Sequence, residues 1–230
     1  IHYECLFIYY ISNFHMIKIS PSILSADLLK LESEVKSLDQ SGADYIHIDI
    51  MDGHYVPNLT FGPNIVKSLR KITKKVLDVH LMIKPVKPYI DEFIKAGSDI
   101  ISFHPEADTN ALEIIEKINK SNLKSGIAIH PNISIADINY FLPNIDQVIV
   151  MTVVPGFGGQ KFMHDQVTKI KDLFELRKNN NYNFNISVDG GINQDTSKIC
   201  INNGVDVLSV GSYLLSKDPK DYSKTIKLLK

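Results

Sequence analysis

The sequence predicts a (β/α)8 barrel of the TIM type, a single α/β domain, and three observations carry that prediction. Apolar segments of strand length alternate with amphipathic helical patterns along the 230 residues, the order that yields parallel strands joined by crossover helices. Eight strand segments can be read, at 18–23, 45–51, 75–82, 100–104, 125–130, 147–153, 185–189 and 207–211. A junction also recurs: SGADYIHI, AGSDIISF and NGVDVLSV each carry a Gly, a spacer, an Asp and then an apolar strand, which is how repeated βα units read in sequence. Eight units in about 210 residues fill one barrel. A doubly wound open sheet usually carries fewer strands and a G-x-G-x-x-G turn, which is absent.

In chain order, the stretch 1–15, IHYECLFIYYISNFH, stands apart. Its apolar run 6–11 is too short to span a bilayer, and it has neither the basic region nor the small-residue cleavage site of a secretory signal. The first methionine is Met16, and MIKISPSILSAD reads as a natural domain start. Residues 1–15 are therefore expected to be an extension and 16–230 the barrel domain. The first strand is followed by helical spacing at Leu28, Leu31, Val35 and Leu38, and Gly42 ends that helix in a left-handed cap. Gly97 and Gly204 are placed the same way before the fourth and eighth strands. A helix around Phe93 precedes Gly97, and Val167, Ile170, Leu173 and Phe174 pattern the helix after the sixth strand. The polar stretch 178–185, KNNNYNFN, reads as a loop entering the seventh strand.

Composition narrows the partners. A net charge of −1 removes the electrostatic case for nucleic acid or an anionic membrane. Cys5 and Cys200 cannot build a disulfide framework and sit in no metal-binding spacing. Cys200, inside ICI, reads as a buried small hydrophobe. A reducing, cytoplasmic location fits, and a plastid-type compartment is compatible with the extension.

The chemistry begins on the second strand, where Ile46, Ile48 and Ile50 alternate with His47, Asp49 and Met51. In a barrel the aliphatic face meets the helices and the other face points inward, with the carboxyl ends of the strands forming the site. The third strand, DVHLMI, puts Asp78, His80 and Met82 on one face, and the seventh ends at Asp189. His47, Asp49, His80 and Asp189 can thus converge from three strands, and two imidazoles with two carboxylates suit Zn²⁺, Fe²⁺, Mn²⁺ or Co²⁺. A hydrogen-bonded His–Asp core pair is the alternative reading of His47 and Asp49. Met51, Met82 and Met151 end strands two, three and six and would make a water-poor floor beside the metal. Glycines cluster in the last three loops: VPGFGGQ (154–160), DGGI (189–192) and VGS (210–212). These are the loops where barrels commonly bind phosphate, here through backbone N–H groups because the loops contain no Arg. His54, His104 and His130 read as polar residues at loop ends, His54 with a hydrogen bond near the site.

At this point the motifs SPSILSAD, GADYIHIDIMDGHYVPNLTFGP, DVHLMI, VPGFGGQ, VDGGI and VGS closely resemble ribulose-phosphate 3-epimerases, over about residues 16–215 and in the same order. The resemblance implies a metal-dependent barrel, an isomerase interconverting D-ribulose 5-phosphate and D-xylulose 5-phosphate through an enediolate in the pentose phosphate pathway. It implies one divalent ion, Zn²⁺ or Fe²⁺ first and Mn²⁺ or Co²⁺ next, on His47, Asp49, His80 and Asp189. Asp49 and Asp189 become the acid/base pair, expected on opposite sides of the ring. Ser22, His47, His80 and Asp189, with Met51, Met82 and Met151, become substrate contacts. Gly156, Phe157, Gly158 and Gly159, then Gly190, Gly191 and Ile192, then Gly211 and Ser212, become substrate or phosphate contacts. A small sugar phosphate is the expected partner, and a homo-oligomer the expected assembly. Val154 and His130 depart from the pattern, at positions that supply neither metal ligand nor acid/base group. The alternatives are an epimerase for a related ketose phosphate such as allulose 6-phosphate, and a non-catalytic sugar-phosphate-binding barrel. A decarboxylase or aldolase relative would carry D-x-K-x-x-D, whereas here Met51 stands in the Lys position.

Overall fold

The computed structural model describes residues 16–230; the 1–15 extension and Cys5 lie outside the described residues. Eight strands follow one another: β1 (Lys18–Pro21), β2 (Tyr45–Met51), β3 (Val76–Met82), β4 (Ile100–Phe103), β5 (Lys124–Ile129), β6 (Gln147–Met151), β7 (Asn185–Asp189) and β8 (Val207–Val210). All paired neighbours are parallel, and β8 returns to β1. Between β1 and β2 the ladder is reduced to a single bridge, Ser22 with His47, so the barrel is nearly closed. The helices that cover it are α1 (Leu31–Gln40), α2 (Pro63–Arg70), α3 (Ile90–Ala96), α4 (Ala111–Lys120), α5 (Ile135–Ile138), α6 (Val167–Asn180), α7 (Gln194–Asn202), α8 (Ser212–Leu215) and α9 (Tyr222–Leu229). None of them is long and apolar enough to cross a membrane.

The eight expected strands are all present, and the differences lie at their ends. The first stops at Pro21 rather than residue 23, because Ser22 caps a short turn over Ile23–Ser25 by accepting from the Leu24 N–H. The sixth stops at Met151, where Thr152 instead hydroxyl-bonds the carbonyls of Asp189 and Gly190 at 3.0 and 2.6 Å. The polar stretch 178–185 is only partly loop: α6 runs to Asn180 and ends in a left-handed Asn181. Leu28 and Leu29, by contrast with Val35 and Leu38, face solvent ahead of α1.

At the amino end of the barrel the recurrent Asp has a structural role. Asp44, Asp99 and Asp206 each accept from the backbone N–H of the preceding odd strand, at Ile19 (2.8 Å), Leu77 (2.8 Å) and Ile186 (2.5 Å). Each also donates its own N–H back to the carbonyl of that same residue. A fourth clamp, Asp146 with Ser125 at 3.0 Å, completes the set between β5 and β6. Its junction carries a Pro-containing turn over Leu142–Asn144 in place of the Gly, which is why it escapes the sequence repeat.

Side chains on the outer face of the strands, among them Ile46, Ile48, Val79, Leu81, Val148 and Val188, are fully buried against the helices. The inner face is also buried, so β2 has no solvated side at all. Its polar strip therefore needs partners inside the protein. Across the barrel's waist Gln147 Nε2 donates to Asp78 Oδ1 at 2.9 Å and Ser20 Oγ to Asp78 Oδ2 at 3.4 Å. That crossing depends on Gly126, where a Cβ would stand 2.2 Å from Ser102 Oγ and 3.2 Å from Gln147 Cβ.

Candidate active site and metal centre

The pairing of β2 with β3 sets the site. Its register places His47 beside Asp78, Asp49 beside His80 and Met51 beside Met82, so the two polar strips run together up the inner wall. β7 contributes Asp189, paired on one side with Met151 and on the other with Ser209. Strands β2 and β7 are separated around the ring by β1 and β8. The two carboxylates therefore meet by reaching inward, not by facing each other across a full diameter.

One donor atom from each of His47, Asp49, His80 and Asp189 lies within 4.8 Å of the other three. His47 Nε2 is 3.4 Å from Asp49 Oδ1 and 3.8 Å from Asp189 Oδ2. His80 Nδ1 is 3.3 and 3.7 Å from the same two oxygens. His47 Nε2, His80 Nδ1 and Asp49 Oδ1 are buried without a hydrogen-bond partner. An unpaired buried polar atom is costly, and three converging ones are what a cation would satisfy. Two imidazole nitrogens and two carboxylate oxygens fit Zn²⁺, Fe²⁺, Mn²⁺ or Co²⁺.

The far sides of His47 and Asp49 are held. Asp78 Oδ2 lies 2.8 Å from His47 Nδ1, so Nδ1–H donates outward and the Nε2 lone pair turns to the centre. Ser22 Oγ donates to Asp49 Oδ2 at 2.5 Å. Thr60 Oγ1 donates to the Asp49 carbonyl at 2.6 Å and accepts from the Met51 N–H at 2.9 Å, fixing the end of β2. Burial alone would lower the pKa of His47, but the Asp49 and Asp78 carboxylates outweigh it and hold the imidazole well above its ordinary value. His80 is likewise raised against its burial by Asp189 and Asp49. Burial pushes the Asp49 carboxyl up, yet His47 and His80 carry it well below the usual carboxylate range.

Above the cluster opens a cleft of about 350 Å³. Every residue expected to contact substrate lines it except His47 and His80, which are fully buried. Ser22, Asp49, Met51, Met82, Met151 and Asp189 surround the lower part, and Gly156, Phe157, Gly158, Gly159, Gly190, Gly191, Ile192, Gly211 and Ser212 the rim. No Arg or Lys lines it among the described residues. The glycine loops pack closely: at Gly191 (φ +67°) a Cβ would fall 2.6 Å from the Phe162 backbone nitrogen. That position needs Gly for packing whatever else it binds. His54 is exposed and bonded to Asp52, away from the cluster.

Sequence reasoning missed His104. It is fully buried, with Nε2 3.1 Å from His80 Nε2, and burial pushes its pKa down to about 4. The Pro105 that follows it reads as a loop, and only the inward register of β4 beside β3 reveals its direction. Asp78 was readable as an inward residue, although its bond to His47 was not.

Eight parallel strands, a buried His/Asp cluster at their carboxyl ends and a glycine-rimmed cleft define a barrel enzyme with a candidate metal centre. Residues 18–215 match the model of the ribulose-phosphate 3 epimerase family. A ribulose-phosphate 3-epimerase of Bacillus subtilis is 44% identical over 198 residues, spanning 86% of this chain and 91% of its own length. The chloroplastic ribulose-5-phosphate-3-epimerase of Arabidopsis thaliana is 41% identical over 214 residues, 92% of this chain and 75% of that protein. Among solved structures, a 3-keto-L-gulonate-6-phosphate decarboxylase from Vibrio cholerae superposes with a TM-score of 0.70 at 16% identity, over 93% of this chain and 95% of the other; this likeness is one of fold. The chain belongs to the ribulose-phosphate 3 epimerase family, and its curated relatives are isomerases.

Proposed function

We propose that the chain is a metal-dependent 3-epimerase of D-ribulose 5-phosphate and D-xylulose 5-phosphate, serving the pentose phosphate pathway. The observation that carries this reading is the cluster itself: two carboxylates and two imidazoles, three of whose converging atoms are buried and unpaired, at a cleft of sugar-phosphate size. Inverting a carbon beside a ketone requires removing its proton from one face and returning a proton to the other, which two separately anchored carboxylates can do. Asp49 and Asp189 take those roles, one as base and the other as acid, exchanged in the reverse direction. Ser22 orients Asp49, and Thr152 fixes the backbone at Asp189. His47, Asp49, His80 and Asp189 would hold a divalent ion, which when bound supplies positive charge where negative charge develops on the substrate oxygens. Met51, Met82 and Met151 keep the floor of the cleft poor in water. With no cationic side chain in the lining, the phosphate is assigned to the backbone of the three glycine loops.

The test is turnover of ribulose 5-phosphate with bound metal measured in the same sample, and allulose 6-phosphate run alongside. Prolonged chelation is expected to abolish turnover, and Zn²⁺, Fe²⁺, Mn²⁺ or Co²⁺ to restore it. Full activity in rigorously metal-free protein would overturn the metal role, and preference for the hexulose phosphate would overturn the substrate. A homo-oligomeric assembly and a cytoplasmic or plastid location, the plastid being the compartment named for the Arabidopsis relative, are further expectations that size-exclusion with light scattering and cell fractionation test.

A further inference from the structure

The two imidazoles of the candidate centre offer opposite nitrogens to it, His47 its Nε2 and His80 its Nδ1. For His47 the choice is explained by the Asp78 carboxylate behind Nδ1. Behind His80 stands another histidine. Its Nε2 and that of His104 are 3.1 Å apart, and between two neutral imidazole nitrogens one must donate and the other accept.

Which one donates is decided further out. His104 Nδ1 faces Glu106 Oε1 at 3.5 Å, too long for a strong hydrogen bond. It is still close enough that an N–H dipole directed at the anion is favoured and a lone pair there is repelled. Glu106 is itself held by the Tyr55 hydroxyl, which donates to Oε1 at 2.7 Å. The Tyr55 ring stacks on His104 with centroids 4.5 Å apart. The proton of His104 thus belongs on Nδ1, and its Nε2 presents a lone pair to His80.

We propose that His104, set by Glu106 and Tyr55, is a positioning residue that fixes the tautomer of His80, keeping the proton on Nε2 and the Nδ1 lone pair toward the cation. The proposal rests on the metal centre described above. A neutral acceptor behind His80 also adds no charge to a centre that already gathers Asp49, Asp78 and Asp189. None of the three residues needs to touch substrate.

Ring-nitrogen NMR of the full-length, ¹⁵N-histidine-labelled protein reads the lock directly. In the metal-free protein, at a pH high enough that His80 is neutral, His104 is expected to carry its proton on Nδ1 and His80 on Nε2; a His104 proton on Nε2 would overturn the proposal whether or not a metal binds. Zn²⁺ affinity, measured by competition with a chromophoric chelator, provides the second readout. His104→Phe keeps an aromatic ring against Tyr55 but removes the acceptor, and a loss of about 10- to 100-fold in Zn²⁺ affinity is expected. His104→Gln, whose amide oxygen can accept, should recover most of that loss. Zn²⁺ affinity unchanged in a folded His104→Phe variant would overturn the proposal. If that variant does not fold, Glu106→Gln probes the same lock at the outer residue: a smaller, several-fold loss supports it, and none overturns it. Failure of the wild-type chain to bind Zn²⁺ would overturn the metal reading itself, while the His104 proton position would still decide the lock.

Discussion

At His47 and His80 a proton and the proposed cation would compete for the same atoms. In protein stripped of metal, both imidazoles are held above their ordinary pKa by neighbouring carboxylates. Their contribution to stability is fully present below the unfolded-state value, about 6.5, and is lost as pH rises through the folded values. Asp49 is shifted the other way, so its contribution is present above the ordinary carboxylate range and is lost as pH falls through its depressed folded pKa. Metal-stripped protein is therefore expected to lose thermal stability as pH rises above about 6.5, whereas Zn²⁺ should stabilise it increasingly in the same direction, because deprotonated imidazoles hold the ion. Melting curves with and without Zn²⁺ check this, and parallel pH profiles would refute it. The carboxylates allow a second test. Asp49→Asn and Asp189→Asn should each lower epimerisation by about 10²- to 10⁴-fold. Each metal-loaded variant should still exchange the C3 proton of one epimer with D₂O, the two variants choosing opposite epimers. Proton NMR on each epimer separately is the measurement, and equal exchange of both epimers would refute the assignment. At this scale the convergence of the candidate cluster was legible, because period-two alternation fixes the direction of His47, Asp49 and His80. The residues behind them were not, since the pairing of His80 with His104 is a contact between strands and leaves no local pattern.

The elements were legible where one face was uniformly aliphatic, and less so at their ends. The strand limit at Pro21 is set by a local turn capped by Ser22, and that at Met151 by the Thr152 hydroxyl bonding across to Asp189 and Gly190, which the segment itself does not encode. The same holds for Gly126, which in isolation is a poor strand residue. Its reason is the space above it, filled by Ser102 and by Gln147 on its way to Asp78. Gly126→Ala should destabilise the protein by about 1–3 kcal/mol, measured by urea unfolding. Adding Ser102→Ala removes the 2.2 Å contact and should recover part of the loss. Strict additivity of the two substitutions would show that the clash is not the cause. Cys200, buried in α7, has its thiol pushed up to about 12 by burial. In a Cys5→Ser variant no thiol should react with a disulfide reagent at neutral pH until the protein unfolds.

For the whole molecule, strand order and closure followed from eight alternating units. The narrow seam between β1 and β2 did not, because the first segment reads as long enough for a full ladder. Residues 1–15 fall outside the family match, which begins at residue 18. A chain starting at Met16 is expected to keep its melting temperature and turnover, and a large loss of either would make the extension part of the working protein. The clamps at the amino end set a further condition. Each aspartate joins an even strand to the odd strand before it, at Asp44, Asp99, Asp146 and Asp206, so the ring is counted in twos. A ring with one strand added or removed would bring two odd or two even strands together somewhere on its circumference, and one carboxylate or one amide would be left without its partner. The parity of the barrel is thus written at the opposite end from its chemistry, where it constrains how such a chain can grow or shrink without disturbing the cleft.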